Sequence, residues 1–320
     1  MKYYDVFNGD ADGICALHQL RLAEPRDSHL ISGVKRDIRL LDRLAADPGV
    51  RKFHVTVLDI SLDRNREGLL ALLERDNQVF YVDHHFPGDI PDSDLLTAHI
   101  DPDPEVCTGL IVDGILGGRY RAWAIVAAFG DNLHDAARSA AAGLSLSSGE
   151  LAKLREIGEL MNYNGYGKSV DDLHLSPQEL YQAVQPFKDP LDFYHQSDVL
   201  TQLKEGFDSD MALARGRKPL RESGSGRIFQ FPATSWPRRA AGVFANEKAR
   251  ELPEKAHALL VDNGDGTFLV SVRAPLIRKK GAVDLCRRFP TGGGRAAAAG
   301  INQLPGKQLD EFLQAFDETF

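Results

Sequence analysis

Over its first 135 residues the chain alternates short apolar, β-rich runs with stretches whose apolar residues recur every three or four positions. The runs lie at 3–7, 29–34, 53–58, 79–82 and 95–100, and the helical stretches at 13–23, 38–46 and 64–75. Strands that alternate with amphipathic helices form a parallel sheet wrapped by helices, so the sequence predicts an α/β fold here. In such a sheet ligands bind beyond the carboxyl ends of the strands, which directs attention to the polar residues that follow each run.

From about residue 119 to 220 the β signal fades. Residues 123–129 read as a buried helix, Leu151, Leu154, Ile157, Leu160 and Met161 mark another, and Ser176-Pro177-Gln178-Glu179 is a capping box with proline at the first helical position. Residues 215–226 are charged and glycine-rich with little to pack, and read as a linker. A second αβ unit follows: strand 228–231, helix 237–252, strands 258–262 and 268–273 joined by Asn263-Gly264-Asp265-Gly266, and helix 282–289. The expected organisation is a parallel-sheet domain over 1–135, a helical connector over 136–220 and a smaller α/β domain over 221–320.

The 320 residues suffice for about two domains, and 43% hydrophobic content supplies a core for each. Cys15, Cys107 and Cys286 are far apart with no CxxC spacing, so they read as small core residues. The first residues carry acidic groups where a signal peptide needs an apolar run, and no stretch is a membrane span; the expected location is cytoplasmic. A net charge of -8 argues against a protein that coats long nucleic acid. The charge is uneven: residues 221–320 hold 15 Lys and Arg against 11 Asp and Glu, a net of +4, which leaves -12 for residues 1–220. An acidic first part suits metal binding and a mildly basic second part suits a phosphate, although scattered surface charge gives the same totals.

Four acidic sites stand at or just past the end of an apolar run. They are Asp10 and Asp12 in Asn8-Gly9-Asp10-Ala11-Asp12-Gly13, Asp59 after Val57-Leu58, Asp83-His84-His85 after Phe80-Tyr81-Val82, and Asp131 in Phe129-Gly130-Asp131-Asn132. Each has an ordinary structural use: a D-x-D pair caps a helix, Asp59 or Ser61 caps the next one, paired histidines are often buried and hydrogen-bonded, and G-D-N is turn chemistry. Taken together they gather at one edge of one sheet. Five carboxylates and two histidines in one crevice are tolerable only with a compensating cation, and oxygen plus imidazole ligands suit Mn²⁺ or Mg²⁺. Two such ions about 3.5 to 4 Å apart can share a carboxylate and a water, acidify that water and clamp a phosphoryl group for in-line attack.

The order D-x-D, D, D-H-H, G-D resembles the DHH phosphoesterase family, whose name is the third motif. Thr291-Gly292-Gly293-Gly294-Arg295 and the small residues to Gly300 resemble the glycine-rich motif of the DHH-associated domain that follows in that family. The resemblance implies one ion on Asp10 and Asp59, with Asn8 a possible further ligand. It implies another on Asp12, His84 and Asp131, with Asp59 bridging, His85 near the phosphate and Asp83 orienting a ligand. Manganese is the expected ion, with magnesium as the alternative. Where many members have histidine or aspartate this chain has Asn8, a neutral ligand, and where the glycine-rich motif usually ends in histidine it has Arg295, whose planar fork also pairs with phosphate.

Gly292, Gly293 and Gly294 let backbone N–H groups approach a phosphate, and Arg273, Arg278 and Arg295 supply charge; the competing reading is a glycine-rich turn ahead of a small-residue helix. Trp236, Phe244 and Phe289 either stack on a base or pack in the core. The expected activity is hydrolysis of phosphodiester or phosphate ester bonds in dinucleotides, nucleotides or very short oligonucleotides to mononucleotides, acting across the cleft between the domains. Two alternatives stand beside it: a RecJ-like exonuclease on single-stranded DNA, and a nucleotide-binding regulatory protein without turnover. Residues 162–167, Asn-Tyr-Asn-Gly-Tyr-Gly, have no assigned role at this level.

Overall fold

The computed structural model describes residues 2–320, which form two compact units divided between Glu205 and Gly206. In the first unit the strands are β1 (Tyr3–Asn8), β2 (His29–Gly33), β3 (His54–Leu58), β4 (Gln78–Asp83) and β5 (Leu96–Ile100), in the order β2-β1-β3-β4-β5 and all parallel. Helices α1 (Ala11–Ala23), α2 (Leu40–Ala45) and α3 (Leu62–Leu73) connect them, as the periodicity predicts. The chain leaves β1 for β2 on one side and returns to β3 on the other, so the strand order reverses at β1. The crevice beyond Asn8 and Leu58 is therefore the switch point where open α/β sheets take ligands.

Six further helices complete this part of the chain: α4 (Thr108–Ile115), α5 (Arg121–Gly130), α6 (His134–Ala141), α7 (Ser148–Asn164), α8 (Pro177–Val184) and α9 (Pro190–Gln196). The capping box at Ser176 is present, with Glu179 bonding back to the Ser176 backbone. Every residue from Trp123 to Gly130 is buried, so α5 runs through the interior between α1 and α7. This crossing needs two glycines: a Cβ on Gly158 would meet the Val126 carbonyl oxygen at 2.3 Å, and one on Gly130 would meet the Ala11 Cβ at 2.3 Å. Close passage brings the end of α5 to the start of α1, which is how residue 131 reaches residues 10–12.

On one face of the sheet Val6, Val55, Val57, Val79 and Tyr81 pack with Leu40, Leu41, Leu44, Leu69 and Leu72 of α2 and α3. A buried charge pair ties β1 to α1: Arg21 donates twice to Asp5, at 2.6 and 2.8 Å, and once to Thr56 of β3 at 2.9 Å. Such a fully bonded pair fixes register more than it adds stability.

Helix α10 (Asp198–Arg215) carries the boundary between the units. The second unit has strands β6 (Arg221–Glu222), β7 (Gly226–Phe231), β8 (Ala256–Asp262), β9 (Thr267–Arg273), β10 (Gly292–Gly294) and β11 (Ala298–Pro305), ordered β10-β11-β9-β8-β7-β6; only β7 and β8 are parallel. Helices α11 (Ser235–Glu251), α12 (Ala282–Cys286) and α13 (Leu309–Thr319) accompany it. Two expectations are corrected. Part of the linker 215–226 is the strand β6, because Arg221 and Glu222 pair with Ile228 and Arg227. The small-residue stretch after the glycines is not a helix but β11, drawn into the sheet by pairing with β9 on one side and β10 on the other. Phe244 and Phe289 are buried in the core, and Trp236 packs on Phe231 with ring centroids 4.8 Å apart. All three cysteines are free and buried, and no helix among the described residues is long and apolar enough to cross a membrane.

Candidate metal centre

Asp10 follows β1 as the N-cap of α1, its Oδ1 accepting the backbone N–H of Asp12 at 3.1 Å and of Gly13 at 3.2 Å. The turn is tight enough that a Cβ on Gly13 would meet the Asn8 carbonyl oxygen at 2.3 Å. So the ordinary capping use of this aspartate is real, yet it leaves Oδ2 free for another partner. Asp12 sits in the first turn of α1 and accepts from two more amides: Thr108 N–H to Oδ2 at 2.8 Å and Gly109 N–H to Oδ1 at 2.7 Å, the first amides of α4. An anion at a helix N-terminus is stabilised by those unpaired donors and by the helix dipole.

Asp59 follows β3 with a left-handed backbone, φ +58°, a conformation that aspartate and asparagine tolerate better than other side chains. Its Oδ1 accepts from Thr108 Oγ1 at 3.2 Å. Burial, with the charges of Asp12, Asp10 and Asp131, pushes its carboxyl well above the ordinary value, and burial raises Asp12 as well. Asp10 goes the other way: burial works against its charge, but the ammonium of Lys35 and hydrogen bonds from Lys35, Gly13 and Asp59 bring it below its ordinary value.

The decisive geometry is at His84. Its Nδ1 lies 3.0 Å from the Val106 carbonyl oxygen, which can only accept, so Nδ1 carries a proton and Nε2 is the ring nitrogen left to bind an ion. Nε2 faces Asp59 Oδ1 at 3.4 Å, Asp131 Oδ2 at 3.6 Å and Asp12 Oδ2 at 4.0 Å. Two ligands each about 2.0–2.2 Å from one ion lie at most about 4.4 Å apart, so all three separations suit a shared cation. Asp12, His84 and Asp131 form one group able to hold an ion, and Asp59, His84 and His85 another. Three carboxylates and an imidazole nitrogen that converge in this way are a donor set that fits Mn²⁺ or Mg²⁺. His84 and Asp131 are 18% and 19% exposed while Asp10, Asp12 and Asp59 are almost wholly buried, so the centre opens on the His84–Asp131 side.

No family model matches the sequence, and no curated protein is similar to it at a significant level. Solved structures are similar. The exonuclease RecJ bound to manganese superposes with a TM-score of 0.63 at 16% identity, covering 99% of this chain and 89% of that one. RecJ of Thermus thermophilus in complex with Mn²⁺ gives 0.63 at 16% identity, and there the chain spans about half, 51%, of the longer protein. The pGpG-specific phosphodiesterase PggH of Vibrio cholerae gives 0.54 at 14% identity over the whole of both chains. This chain has the fold of RecJ and PggH.

The two histidines of the centre differ. His84 is turned inward as described, whereas His85 is 44% exposed and its Nδ1 is 2.7 Å from Asp83 Oδ1. Burial works to lower the His85 pKa, but the bond to Asp83 and the charges of Asp83, Asp12 and Asp131 raise it. Asp83 thus orients His85, while the Val106 carbonyl orients His84. Asn8 is buried, and its Oδ1 has no hydrogen-bond partner.

Two contributors escape a reading of the sequence. One is the N-terminus of α4, which holds Asp12. The other is Lys35, just past β2, whose Nζ reaches Asp10 Oδ2 at 2.6 Å, Asp131 Oδ1 at 3.0 Å and Asn162 Oδ1 at 2.9 Å. Burial opposes its charge, yet Asp10 and Asp131 hold it protonated far above the ordinary lysine range.

In the second unit Gly292–Gly294 and Arg273 belong to one sheet, with β11 between their strands. Gly292–Gly294 form the edge strand β10, with Gly294 opposite Ala299, and Arg273 of β9 is opposite Ala298. Gly294 has φ +136°, and a Cβ there would lie 2.5 Å from the Ala299 Cα, so no other residue fits that turn toward the exposed Arg295. Arg273 Nε donates to Asn246 Oδ1 at 2.8 Å. Arg278 is exposed and donates to the terminal Phe320 carbonyl oxygen at 3.5 Å.

Proposed function

We propose that this protein is a metal-dependent phosphoesterase that hydrolyses dinucleotides, nucleotides or very short oligonucleotides to mononucleotides, with Mn²⁺ as the preferred ion and Mg²⁺ as a substitute. The observation that carries the reading is Nε2 of His84 turned toward three carboxylates, an arrangement that suits a divalent cation. A bound ion there polarises a phosphoryl oxygen and makes a water nucleophilic at neutral pH. The chain's own groups supply the rest. Amides of α4 hold Asp12, Val106 holds His84, and His85, kept protonated more readily than an ordinary histidine by Asp83, can donate a hydrogen bond to a phosphate oxygen or a proton to a departing one. Arg273, the amides of Gly292–Gly294 and Arg295 are the phosphate-binding residues of the second unit, and His85 that of the first.

A small substrate is favoured by the net charge of -8, which gives little counterion release on a long strand. The likeness to PggH, a pGpG-specific phosphodiesterase, points the same way, and the likeness to RecJ favours an exonuclease on single-stranded DNA as the second reading. A cytoplasmic location goes with either. The test is release of mononucleotide with Mn²⁺ from a linear substrate series of two to about thirty nucleotides, a span beyond the site sizes of single nucleic-acid-binding folds. The expected result is a kcat/KM highest for dinucleotides and falling with length. Activity that rises with length supports the exonuclease instead, and none at any length leaves a binding protein without turnover.

Phe86 is a substrate residue that the motif reading passes over. It directly follows His85 and is 74% exposed, unusual for a phenylalanine beside a buried polar centre. An aromatic face there can stack on the base whose phosphate is under attack. Since base stacking is worth about 1–3 kcal/mol, Phe86→Ala is expected to raise KM for a dinucleotide about tenfold or more with little change in kcat. An unchanged KM would remove Phe86 from the substrate site.

A further inference from the structure

The acidic centre is not uniform: one half turns on an imidazole and the other on an ammonium. Around His84 the carboxylates of Asp12, Asp59 and Asp131 meet Nε2 of the ring. Around Asp10 they meet Lys35. The ammonium has three N–H donors, and three oxygens accept them, from Asp10, Asp131 and Asn162, all within 3.0 Å. Both oxygens of Asp10 are thereby used, Oδ2 by Lys35 and Oδ1 by the amides of Asp12 and Gly13.

Lys35 is not a surface side chain that has folded inward by chance. Its backbone N–H donates to the Gly165 carbonyl oxygen at 2.8 Å, and the Tyr166 ring lies 5.7 Å from its Nζ. Main chain and head group are both held by the segment that ends α7, so residues 162–166 act as the seat of this lysine. Asn8, the other candidate ligand in this half, is neutral. A divalent ion on Asp10 would have to displace three charge-assisted hydrogen bonds and remain close to a buried ammonium.

We propose that Lys35 takes the place of one of two cations, so that the centre binds a single divalent ion, on Asp12, His84 and Asp131 beside Asp59. This rests on the metal-centre reading given above and departs from the two-ion expectation of the sequence. Asp131 is the shared residue, with Oδ2 toward His84 and Oδ1 on Lys35, so ion and ammonium are linked by one carboxylate as two metals would be.

The test counts ions. Metal-free full-length protein is titrated with MnCl₂, bound manganese is measured per chain, and the electron paramagnetic resonance spectrum distinguishes isolated from spin-coupled Mn²⁺. The expected result is one isolated ion per chain in the unaltered protein and two in Lys35→Ala, with a coupled spectrum. Two coupled ions in the unaltered protein overturn the inference and leave the phosphoesterase reading standing, as does one ion in both proteins. No bound ion in the unaltered protein overturns the metal centre itself. If Lys35→Ala does not fold, judged by circular dichroism, Lys35→Met replaces it. An anomalous map of the unaltered protein with manganese gives an independent count: one peak beside His84 Nε2 supports the inference, and a second beside Asp10 refutes it.

Discussion

His84→Ala is expected to abolish manganese-dependent hydrolysis, lowering kcat/KM by about three orders of magnitude or more, the scale on which loss of electrostatic stabilisation at a reacting phosphoryl group is felt. The reason lies in what the side chain does and does not hold. Its one hydrogen bond is to the Val106 carbonyl, and the carboxylates it faces keep their own supports: Asp12 on the α4 amides and Asp59 on Thr108. Removing the imidazole therefore takes away an ion ligand while leaving the scaffold in place. Bound manganese should fall with activity and the far-ultraviolet spectrum should not change. His85→Ala serves as the contrast, because that side chain is half exposed and tied to Asp83. It should retain its manganese and lose kcat. Equal activity in His84→Ala and unaltered protein would locate the hydrolysis elsewhere or in a contaminant.

The parts of the centre that could be read from sequence share one property: a polar side chain directly after an apolar run. Asp10, Asp59 and His84 are legible in this way because β1, β3 and β4 are strongly patterned strands whose carboxyl ends lie on one edge. Asp131 is legible because the apolar α5 ends at Gly130. Lys35 is not, since it is one of several basic residues after a weakly patterned strand and its seat, Asn162, lies 127 positions away. The helix α4 lacks a local start signal for an equally physical reason. Its N-cap residue Cys107 makes no side-chain bond, and the amides of Thr108 and Gly109 are capped by Asp12, nearly a hundred residues earlier. Likewise β10 is all glycine and β11 begins Ala298-Ala299-Gly300, residues with little intrinsic β preference, and these segments are strands because β9 offers β11 a ladder and β11 offers one to β10. Local pattern reveals elements that stabilise themselves, and long-range partners supply the others.

The same crowding of carboxylates makes the metal-free protein vulnerable at neutral pH, and Asp59→Asn should reveal it as a difference in stability. In the folded, metal-free state Asp59 holds its proton above the ordinary aspartate value of 3.8, owing to burial and to Asp12, Asp10 and Asp131. Between that value and the raised one the folded chain binds more protons than the unfolded chain, so stability falls as pH rises, with a slope approaching about 1.4 kcal/mol per pH unit. Other groups tilt the absolute profile. Asp10, with its lowered value, adds stability above the ordinary carboxylate range that is lost as pH falls through its folded value. His18, lowered to about 4 by burial, does so from the ordinary histidine value downward. The comparison of Asp59→Asn with unaltered protein removes the His18 contribution, whereas that of Asp10 changes with Asp59, one of its hydrogen-bond partners. Asparagine also accepts the left-handed backbone at this position. The variant should match the unaltered protein near pH 4 and exceed it increasingly toward pH 7. Manganese should reverse the order, because the unaltered protein offers it one more carboxylate beside the ion: at a hundred times its Kd it contributes about 2.7 kcal/mol. For a unit of this size that corresponds to a rise in Tm of about 5–10 °C, and a smaller one in the variant. A metal-free Asp59→Asn protein no more stable than the unaltered one at pH 7, or an equal manganese shift in both, would mean that Asp59 is neither under the electrostatic strain described nor beside the ion.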